Sequence, residues 1–265
     1  PRAFYFLPGV PYEMQHLVSS YILPLFKQEG HYSGQLTFIG IGESFLADKL
    51  SDWESALPDY LDLAYLPSPG VVRVRLSGSG KNHEELKQVI NENLDKAIKT
   101  VPDYVINTGM QELNEWFVNF LIERKLTLGA IESCTGGYLS HYLTSVPGSS
   151  DCFTGTLVAY SYKTKTTVAK LPEKLLLKYG AVSRETVEYL AASAITMFQT
   201  DIGIAISGIA GPEGGTTEKP VGTVWIAVAG KEKTITKKFN FGNIRERNII
   251  RSSVAAIGLV VHELL

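Results

Sequence analysis

The stretch AIESCTGGYLS, Ala130 to Ser140, joins the end of a predicted strand to the start of a predicted helix. Apolar residues run up to Glu132, two glycines follow at Gly136 and Gly137, and an apolar-periodic segment continues from there. Open α/β sheets place their sites at such turns, just beyond the carboxyl ends of the strands. The stretch therefore predicts an α/β unit that carries a candidate site at this turn.

Strands and helices alternate around this turn from about residue 109 to residue 265. Continuous apolar strands between amphipathic helices are typical of a parallel sheet with helices on both faces. The pattern predicts a three-layer αβα sandwich with a mostly parallel sheet and a late hairpin, with Ser183 as the N-cap of one helix. The predicted strands are LTLGAIE, GTLVAY, DIGIAIS, VGTVWIAVAG and EKTITKKFNF.

Residues 33–108 show a different order of elements, which precedes this sandwich. Strand and helix patterns alternate as β-α-β-β-α-β, which predicts a small split-βαβ domain of the α+β class. Acidic residues outnumber basic ones in this segment, whereas a surface that follows nucleic-acid phosphates should be basic. We therefore expect a spacer or dimerisation domain, with its boundary in NTGMQ, Asn107 to Gln111.

Residues 1–32 are predicted to form a strand, a Pro/Gly turn and a helix whose first residue is Pro11. A segment of this length cannot form a core of its own. We interpret it as the last strand-helix unit of a larger domain that is mostly absent from the sequence.

Composition excludes several classes of protein. The 265 residues have a net charge of −2 and include no apolar run long enough for a membrane span. The near-neutral charge argues against direct nucleic-acid binding. Two cysteines, Cys134 and Cys152, fit a reducing, cytoplasmic location. The five histidines are scattered without ligand spacing, so we expect no metal site.

Ser133 is the first candidate for a catalytic side chain. A nucleophile at a strand-to-helix turn lies near backbone N–H groups that stabilise an oxyanion. Two alternatives remain at this point: Ser133 and Thr135 act only as helix caps, or Cys134 is the nucleophile. The functional interpretation is favoured because of the position in the fold.

The segment YSYKTK, residues 160–165, supplies candidates for a proton acceptor. A serine nucleophile needs a base, and Tyr160 with Lys165 can provide one if the lysine is partly desolvated. The structural alternative is that Lys163 and Lys165 are solvated lysines at a helix start. That alternative is preferred for Lys163 and remains open for Lys165.

The third candidate segment is SGIAGPEGGTTEKPVGTV, residues 207–224. It matches neither the dinucleotide fingerprint nor the P-loop, but its many amides can hold a phosphate or a carboxylate. The helix that follows FGNI carries Arg247 and Arg251 on one face, where either could meet a phosphate or form a surface ion pair.

The motifs AIESCTGGYLSHYLTSVPGSS, GTLVAYSYKTK, GAVS, SGIAGPEGGTTEKPVGTV and FGNIRERNIIR together resemble the C-terminal domain of the CinA (competence/damage-inducible) family. The resemblance covers about residues 111–265. It implies that residues 109–265 form the family's amidohydrolase domain, 33–108 its KH-like domain, and 1–32 the remnant of a molybdopterin-binding-like domain.

The resemblance implies hydrolysis of the carboxamide of nicotinamide mononucleotide (NMN) to nicotinic acid mononucleotide and ammonia, without metal or organic cofactor. It assigns catalysis to Ser133, Tyr160 and Lys165. Backbone N–H groups at the helix start near Gly136 are expected to hold the oxyanion. Arg247 is preferred to Arg245 for the phosphate because it keeps a four-residue spacing to Arg251. The expected substrate-binding residues are Thr135, Gly136, Gly137, Ser207, Gly211, Gly214, Gly215, Thr216 and Arg247.

Other functions remain as alternatives. Pyrophosphate hydrolysis of ADP-ribose, which the family links to its N-terminal domain, is not expected here because that domain is almost absent. A non-catalytic module in DNA uptake or repair and a degenerate nucleotide-binding domain are the other two. We further expect a homodimer, with a small nucleotide as the substrate and neither nucleic acid nor membrane as a partner.

Overall fold

The structure, a computed structural model, describes residues 3–25, 30–80, 82–106 and 109–265. They form an N-terminal helical segment followed by two α/β units. The predicted boundary falls between β4, which ends at Ile106, and α4, which begins at Leu113. Asn107 and Thr108, which belong to the predicted boundary, lie outside the described residues.

The N-terminal segment contains helix but no strand within the described chain. Helix α1 (Pro11–Leu17) begins at the proline, as predicted, and continues as a π-helical turn and a 3-10 turn to Leu25. The predicted strand before it is wrong, because residues 3–10 are not paired with a neighbouring strand. A strand needs a partner for its backbone hydrogen bonds. Phe4 and Phe6 are instead 82% and 96% exposed.

The first unit has the predicted β-α-β-β-α-β order. Its sheet runs β2-β3-β1-β4 with antiparallel neighbours, so β3 lies between the parallel strands β1 and β2. Phe38, Leu46 and Ile90 are fully buried between this sheet and its two helices. The elements are β1 (His31–Ile39), α2 (Glu43–Ser55), β2 (Leu61–Ser68), β3 (Val71–Ser79), α3 (His83–Thr100) and β4 (Val105–Ile106).

The second unit is the predicted three-layer sandwich. Its five-stranded sheet has the order β6-β5-β7-β8-β9. Helices α4, α5 and α9 cover one face, and α7 and α8 cover the other. The elements are α4 (Leu113–Glu123), β5 (Leu128–Glu132), α5 (Tyr138–Thr144), β6 (Phe153–Val158), α6 (Tyr162–Thr167), α7 (Glu173–Tyr179), α8 (Arg184–Phe198), β7 (Ile202–Gly208), β8 (Thr223–Ala229), β9 (Thr234–Asn240) and α9 (Arg245–Leu259).

Strand direction divides this sheet into two parts. Strand β5 pairs in parallel with β6 and β7, and all five of its residues are buried, as a parallel strand between two helical layers requires. Strands β8 and β9 add an antiparallel hairpin at the other edge, where the sequence predicted one. The carboxyl ends of β5, β6 and β7 therefore lie side by side at one edge of the sandwich.

Helix α9 connects the two units. A Cβ atom on Gly258 would lie 3.0 Å from Ile39 of β1, and one on Gly70 would lie 3.1 Å from Val254 of α9. Arg73 of β3 also forms an ion pair with Glu112, just before α4. The first unit thus packs directly on the helix whose first turn borders the carboxyl edge of the sandwich.

A substitution at Gly203 tests the close packing of α8 on β7. A Cβ atom at this position would lie 2.1 Å from the carbonyl oxygen of Ala191, which is backbone and cannot rotate away. We expect Gly203→Ala to lower the free energy of unfolding by about 3 kcal/mol, the upper range for overpacking. Chemical denaturation measures the change.

Gly80→Ala is the matched control, because no described residue lies within 4 Å of a Cβ atom there. Its expected effect is within about 0.5 kcal/mol. Equal stability of the Gly203→Ala protein and the unmodified protein would contradict the packing of α8 on β7.

Candidate active site at the carboxyl ends of the parallel strands

A pocket of ≈ 280 Å³ lies where the sequence predicted a site. Its walls come from the turn after β5, the loop and helix after β6, the turn before α8, the glycine-rich loop after β7 and the first turn of α9. The three loops chosen from the sequence therefore meet in one pocket, as expected for the carboxyl edge of parallel strands.

Ser133 and Lys165 form a hydrogen-bonded pair in this pocket. The Lys165 Nζ donates to Ser133 Oγ at 2.8 Å and to the Ala159 carbonyl oxygen at 2.5 Å. Lys165 is 1% exposed and Ser133 is 8% exposed. Lys165 is therefore not a solvated lysine at a helix start, which the sequence left open. Lys163 is exposed, as predicted.

The start of α6 explains how the lysine reaches the serine. The Ser161 side chain caps this helix by accepting a hydrogen bond from the Thr164 amide at 3.0 Å. Lys165 then lies in the last turn of a short helix whose buried side faces the end of β5. The long apolar stem of the lysine side chain allows its amine to reach Ser133 from the backbone of α6.

Burial changes the acid-base behaviour of two groups in the pocket. It lowers the pKa of the Lys165 ammonium to about 8, because the charged form loses its hydration. It raises the pKa of the Cys134 thiol to about 12, also through desolvation. A lysine with this pKa has a useful neutral fraction near neutral pH, whereas Cys134 remains a thiol. The geometry and the pKa values both favour Ser133 over Cys134 as the nucleophile.

Glu132 is the residue of this turn that sequence reasoning did not select. Its carboxylate is fully buried and accepts hydrogen bonds from the amides of Gly137 (3.2 Å), Leu139 (3.1 Å) and Ser140 (3.0 Å) and from the Ser140 hydroxyl (2.5 Å). The Glu132 carboxylate therefore takes the first amides of α5, and the structure gives no support to the alternative that Ser133 and Thr135 act only as caps of this helix. An acidic residue at the end of an apolar strand, one short turn before a helix, was the available signal.

This cap corrects the predicted oxyanion site. The amides at the start of α5 are already engaged by a carboxylate, so they cannot also hold an oxyanion on Ser133. Gly136 and Gly137 have φ angles of 63° and 96°, which an L side chain rarely adopts. These two glycines shape the turn around Glu132 and do not line the pocket.

Tyr160 lies at the rim of the pocket. Its side chain is exposed, and its hydroxyl accepts a hydrogen bond from Arg245 Nη2 at 3.0 Å. Arg245 Nη1 also donates to the Gly211 carbonyl oxygen at 2.7 Å. The predicted role of Tyr160 in the proton relay is not supported by this geometry, because its phenol pairs with Arg245 and only its backbone carbonyl approaches Lys165.

Arg245, and not Arg247, reaches the pocket. Helix α9 begins at Arg245, and two residues further on the side chain points to a different side of the helix. Arg247 is exposed and lies away from the pocket lining. Arg251 faces the first unit and donates to the Phe241 carbonyl oxygen. Spacing to Arg251 therefore selected an arginine that does not line this pocket.

The remaining predicted residues divide into two groups. The Ser207 hydroxyl donates to the Ala181 carbonyl oxygen at 2.8 Å, and Thr216 closes a turn with Lys219. Tyr162, Val182 and Glu213 line the pocket although the sequence did not single them out. Of the predicted residues, Ser133, Tyr160, Lys165, Ser207, Gly211 and Gly214 line the pocket, whereas Thr135, Gly136, Gly137, Gly215, Thr216 and Arg247 do not.

Asn248 holds the glycine-rich loop from below. It is 1% exposed, and its Nδ2 donates to the carbonyl oxygens of Ala210 and Gly242, both at 3.0 Å. Together with the bond from Arg245 to Gly211, this fixes the start of the loop on α9. Arg245 is therefore positioned by the same helix that supports the pocket wall.

Comparison with known proteins shows which family the chain belongs to. Residues 110–264 match the model of the CinA C-terminal domain, and residues 33–106 match the KH domain of damage-inducible protein CinA. The chain belongs to the CinA family. The matched ranges agree with the two α/β units of the fold.

The curated relatives that match this chain are longer than it is. A CinA-like protein of Cytophaga hutchinsonii is 44% identical over 262 residues, which are 97% of this chain and 63% of the relative. A putative competence-damage inducible protein of Halothermothrix orenii is 37% identical over 91% of this chain and 59% of its own length. The chain thus spans about three fifths of the CinA relatives that it matches.

Solved structures of CinA superfamily proteins match a little more than half of this chain. The protein from Escherichia coli has 29% identity and a TM-score of 0.54 over 57% of this chain and 90% of its own. The protein from Klebsiella pneumoniae 700603 has 32% identity and a TM-score of 0.53 over 56% of this chain and 95% of its own. Separately, across the ranges that the structure describes, no helix is long and apolar enough to cross a membrane.

Glu132 provides a test of the turn that holds Ser133. Glu132→Gln keeps the shape but replaces one acceptor oxygen with an NH₂ group that faces backbone donors. We expect a loss of about 2 kcal/mol in the free energy of unfolding, the usual cost of a buried unsatisfied donor. Glu173→Gln, at an exposed first-turn position of α7, is the control and should change stability by less than about 0.5 kcal/mol. An equal effect of the two substitutions would contradict the capping role.

Proposed function

We propose that the sandwich unit hydrolyses the carboxamide of NMN, giving nicotinic acid mononucleotide and ammonia. The observation that carries the proposal is the buried Lys165 amine, 2.8 Å from the Ser133 hydroxyl. Serine with a lysine base is a recurring arrangement for acyl transfer. Membership of the CinA family supports this chemistry, since its C-terminal domain resembles stand-alone NMN amidohydrolases.

The mechanism follows from the pair. The neutral Lys165 amine accepts the Ser133 proton while the serine oxygen attacks the carboxamide carbon. The resulting ammonium returns this proton to the departing nitrogen, so ammonia leaves and an acyl-enzyme ester remains. A water molecule then attacks the ester as Lys165 accepts its proton, and the proton passes back to Ser133 Oγ. The Ser–Lys pair needs no metal or organic cofactor for these steps.

Substrate orientation uses the opposite rim of the pocket. The Arg245 guanidinium is held by Tyr160 and Gly211 and can form charge-assisted hydrogen bonds to a phosphate. The glycine-rich loop after β7 brings backbone close to the ligand, which side chains would prevent. A phosphate at Arg245 would leave the carboxamide end of a mononucleotide to point toward Ser133. Homodimer formation and a cytoplasmic location stay predictions.

Ammonia release from NMN tests the proposal directly. Ser133→Ala should reduce kcat/KM by at least about 10³-fold, as removal of a serine nucleophile does in acyl-transfer enzymes. Cys134→Ala should retain activity within about threefold, since the buried thiol does not ionise. Loss of activity with Cys134→Ala alone would move the nucleophile by one residue. No release by the unmodified protein would favour a non-catalytic binding module.

The pH dependence tests the role of Lys165. Only the neutral amine accepts a proton, so kcat/KM should rise with pH and level off above the lysine pKa of about 8. The second ionisation of a phosphate monoester, near pH 6, lies well below this transition. Lys165→Arg should be inactive at each pH, because a guanidinium remains protonated. A flat profile between about pH 7 and 9 would exclude Lys165 as the base.

A further inference from the structure

The rim of the pocket holds two opposite charges, and neither forms an ion pair with another described residue. Glu213 and Arg245 both line it. Among the described residues, Glu213 forms no ion pair and no side-chain hydrogen bond, and Arg245 donates only to uncharged oxygens of Tyr160 and Gly211. A pocket with one free anion and one free cation is complementary to a ligand that carries both charges.

The loop keeps Glu213 at this position. Two residues before it, the Gly211 carbonyl oxygen is bound by Arg245, and further along, Lys219 Nζ donates to the Tyr179 carbonyl oxygen at 3.2 Å. The Thr216 amide also donates to the Lys219 carbonyl oxygen at 2.9 Å. The segment is therefore anchored on both sides of Glu213, so the backbone of this residue stays at the mouth of the pocket.

The Glu213 carboxylate matters in this pocket because two other lining residues, Lys165 and Arg245, carry positive charge. Lys165, with a pKa of about 8, is mostly protonated at neutral pH, and Arg245 is always charged. Two cations in one pocket repel a ligand that is itself positive. A carboxylate on the same pocket offsets this repulsion and favours a cationic group beside it.

We propose that Glu213 makes the site selective for carboxamides carried on a positively charged ring, while Arg245 takes an anionic group of the same ligand. This inference rests on the proposed function and specifies its substrate class as zwitterionic. The pyridinium ring of NMN is cationic and its phosphate is anionic. The reduced form, NMNH, has nearly the same shape and the same phosphate, but its dihydropyridine ring is neutral.

The experiment compares these two ligands. KM and kcat for NMN and the inhibition constant of NMNH are measured for the unmodified protein, for Glu213→Gln and for Glu218→Gln. Glu218 is an exposed carboxylate of the same loop that lies outside the pocket lining, so it controls for general loop charge. The inhibition constant reports binding alone, which separates ring charge from the lower reactivity of the reduced carboxamide.

Glu213→Gln should raise KM for NMN about fivefold, the upper range for an exposed ion pair, with kcat within about twofold. The inhibition constant of NMNH should not change, and Glu218→Gln should alter neither value. The difference between NMN and NMNH should also shrink at high salt, which screens exposed charges. An equal shift for both ligands, or no shift in KM for NMN, would overturn the inference.

Calorimetric binding keeps this test separate from the proposed function. NMN and NMNH are titrated into Ser133→Ala proteins with and without Glu213→Gln. An unmodified protein that releases no ammonia, beside a Glu213-dependent preference for NMN in binding, would overturn the function and support the inference. Ammonia release without a Glu213-dependent preference for NMN would support the function and overturn the inference. Failure of both ligands to bind at millimolar concentration would overturn both.

Discussion

The hydrogen bond between Lys165 and Ser133 joins helix α6 to the turn after β5, and the two residues are 32 positions apart in the chain. A lysine amine is expensive to bury unless it is paired or becomes neutral. Here it is paired, since its Nζ donates to Ser133 Oγ and the Ala159 carbonyl oxygen, and its pKa falls to about 8, which raises its neutral fraction. The same desolvation that costs stability therefore makes the amine a usable base.

The surrounding structure keeps this pair in place. Strand β5 ends at Glu132, whose buried carboxylate takes four hydrogen bonds from the start of α5. Because that carboxylate is held, the next residue is held too, and the Ser133 amide is bound to the Ile206 carbonyl oxygen of β7 at 3.0 Å. A serine supported on both sides in this way has little freedom left to lose if a substrate binds beside it.

Helix α9 links the pocket with the rest of the molecule. Its first turn presents Arg245 to the pocket, Asn248 supports the glycine-rich loop, and its outer face packs against the KH-like unit through Val254 and Gly258. The acidic KH-like unit thus has a structural role as a packing partner of the sandwich. This contact gives a physical reason for both units to be present in one chain.

The sequence by itself determined the order of elements, the two units and the three loops of the site. Hydrophobic periodicity and helix caps such as Ser183 depend on neighbours along the chain. The structure confirmed the predicted order of elements and this cap. Only the tertiary structure decided that Arg245 rather than Arg247 enters the pocket, that Glu132 caps α5, that Tyr160 pairs with an arginine, and that residues 3–10 are not a strand. Each of these depends on which distant groups meet a side chain or backbone after packing, and local sequence patterns carry no information about such partners.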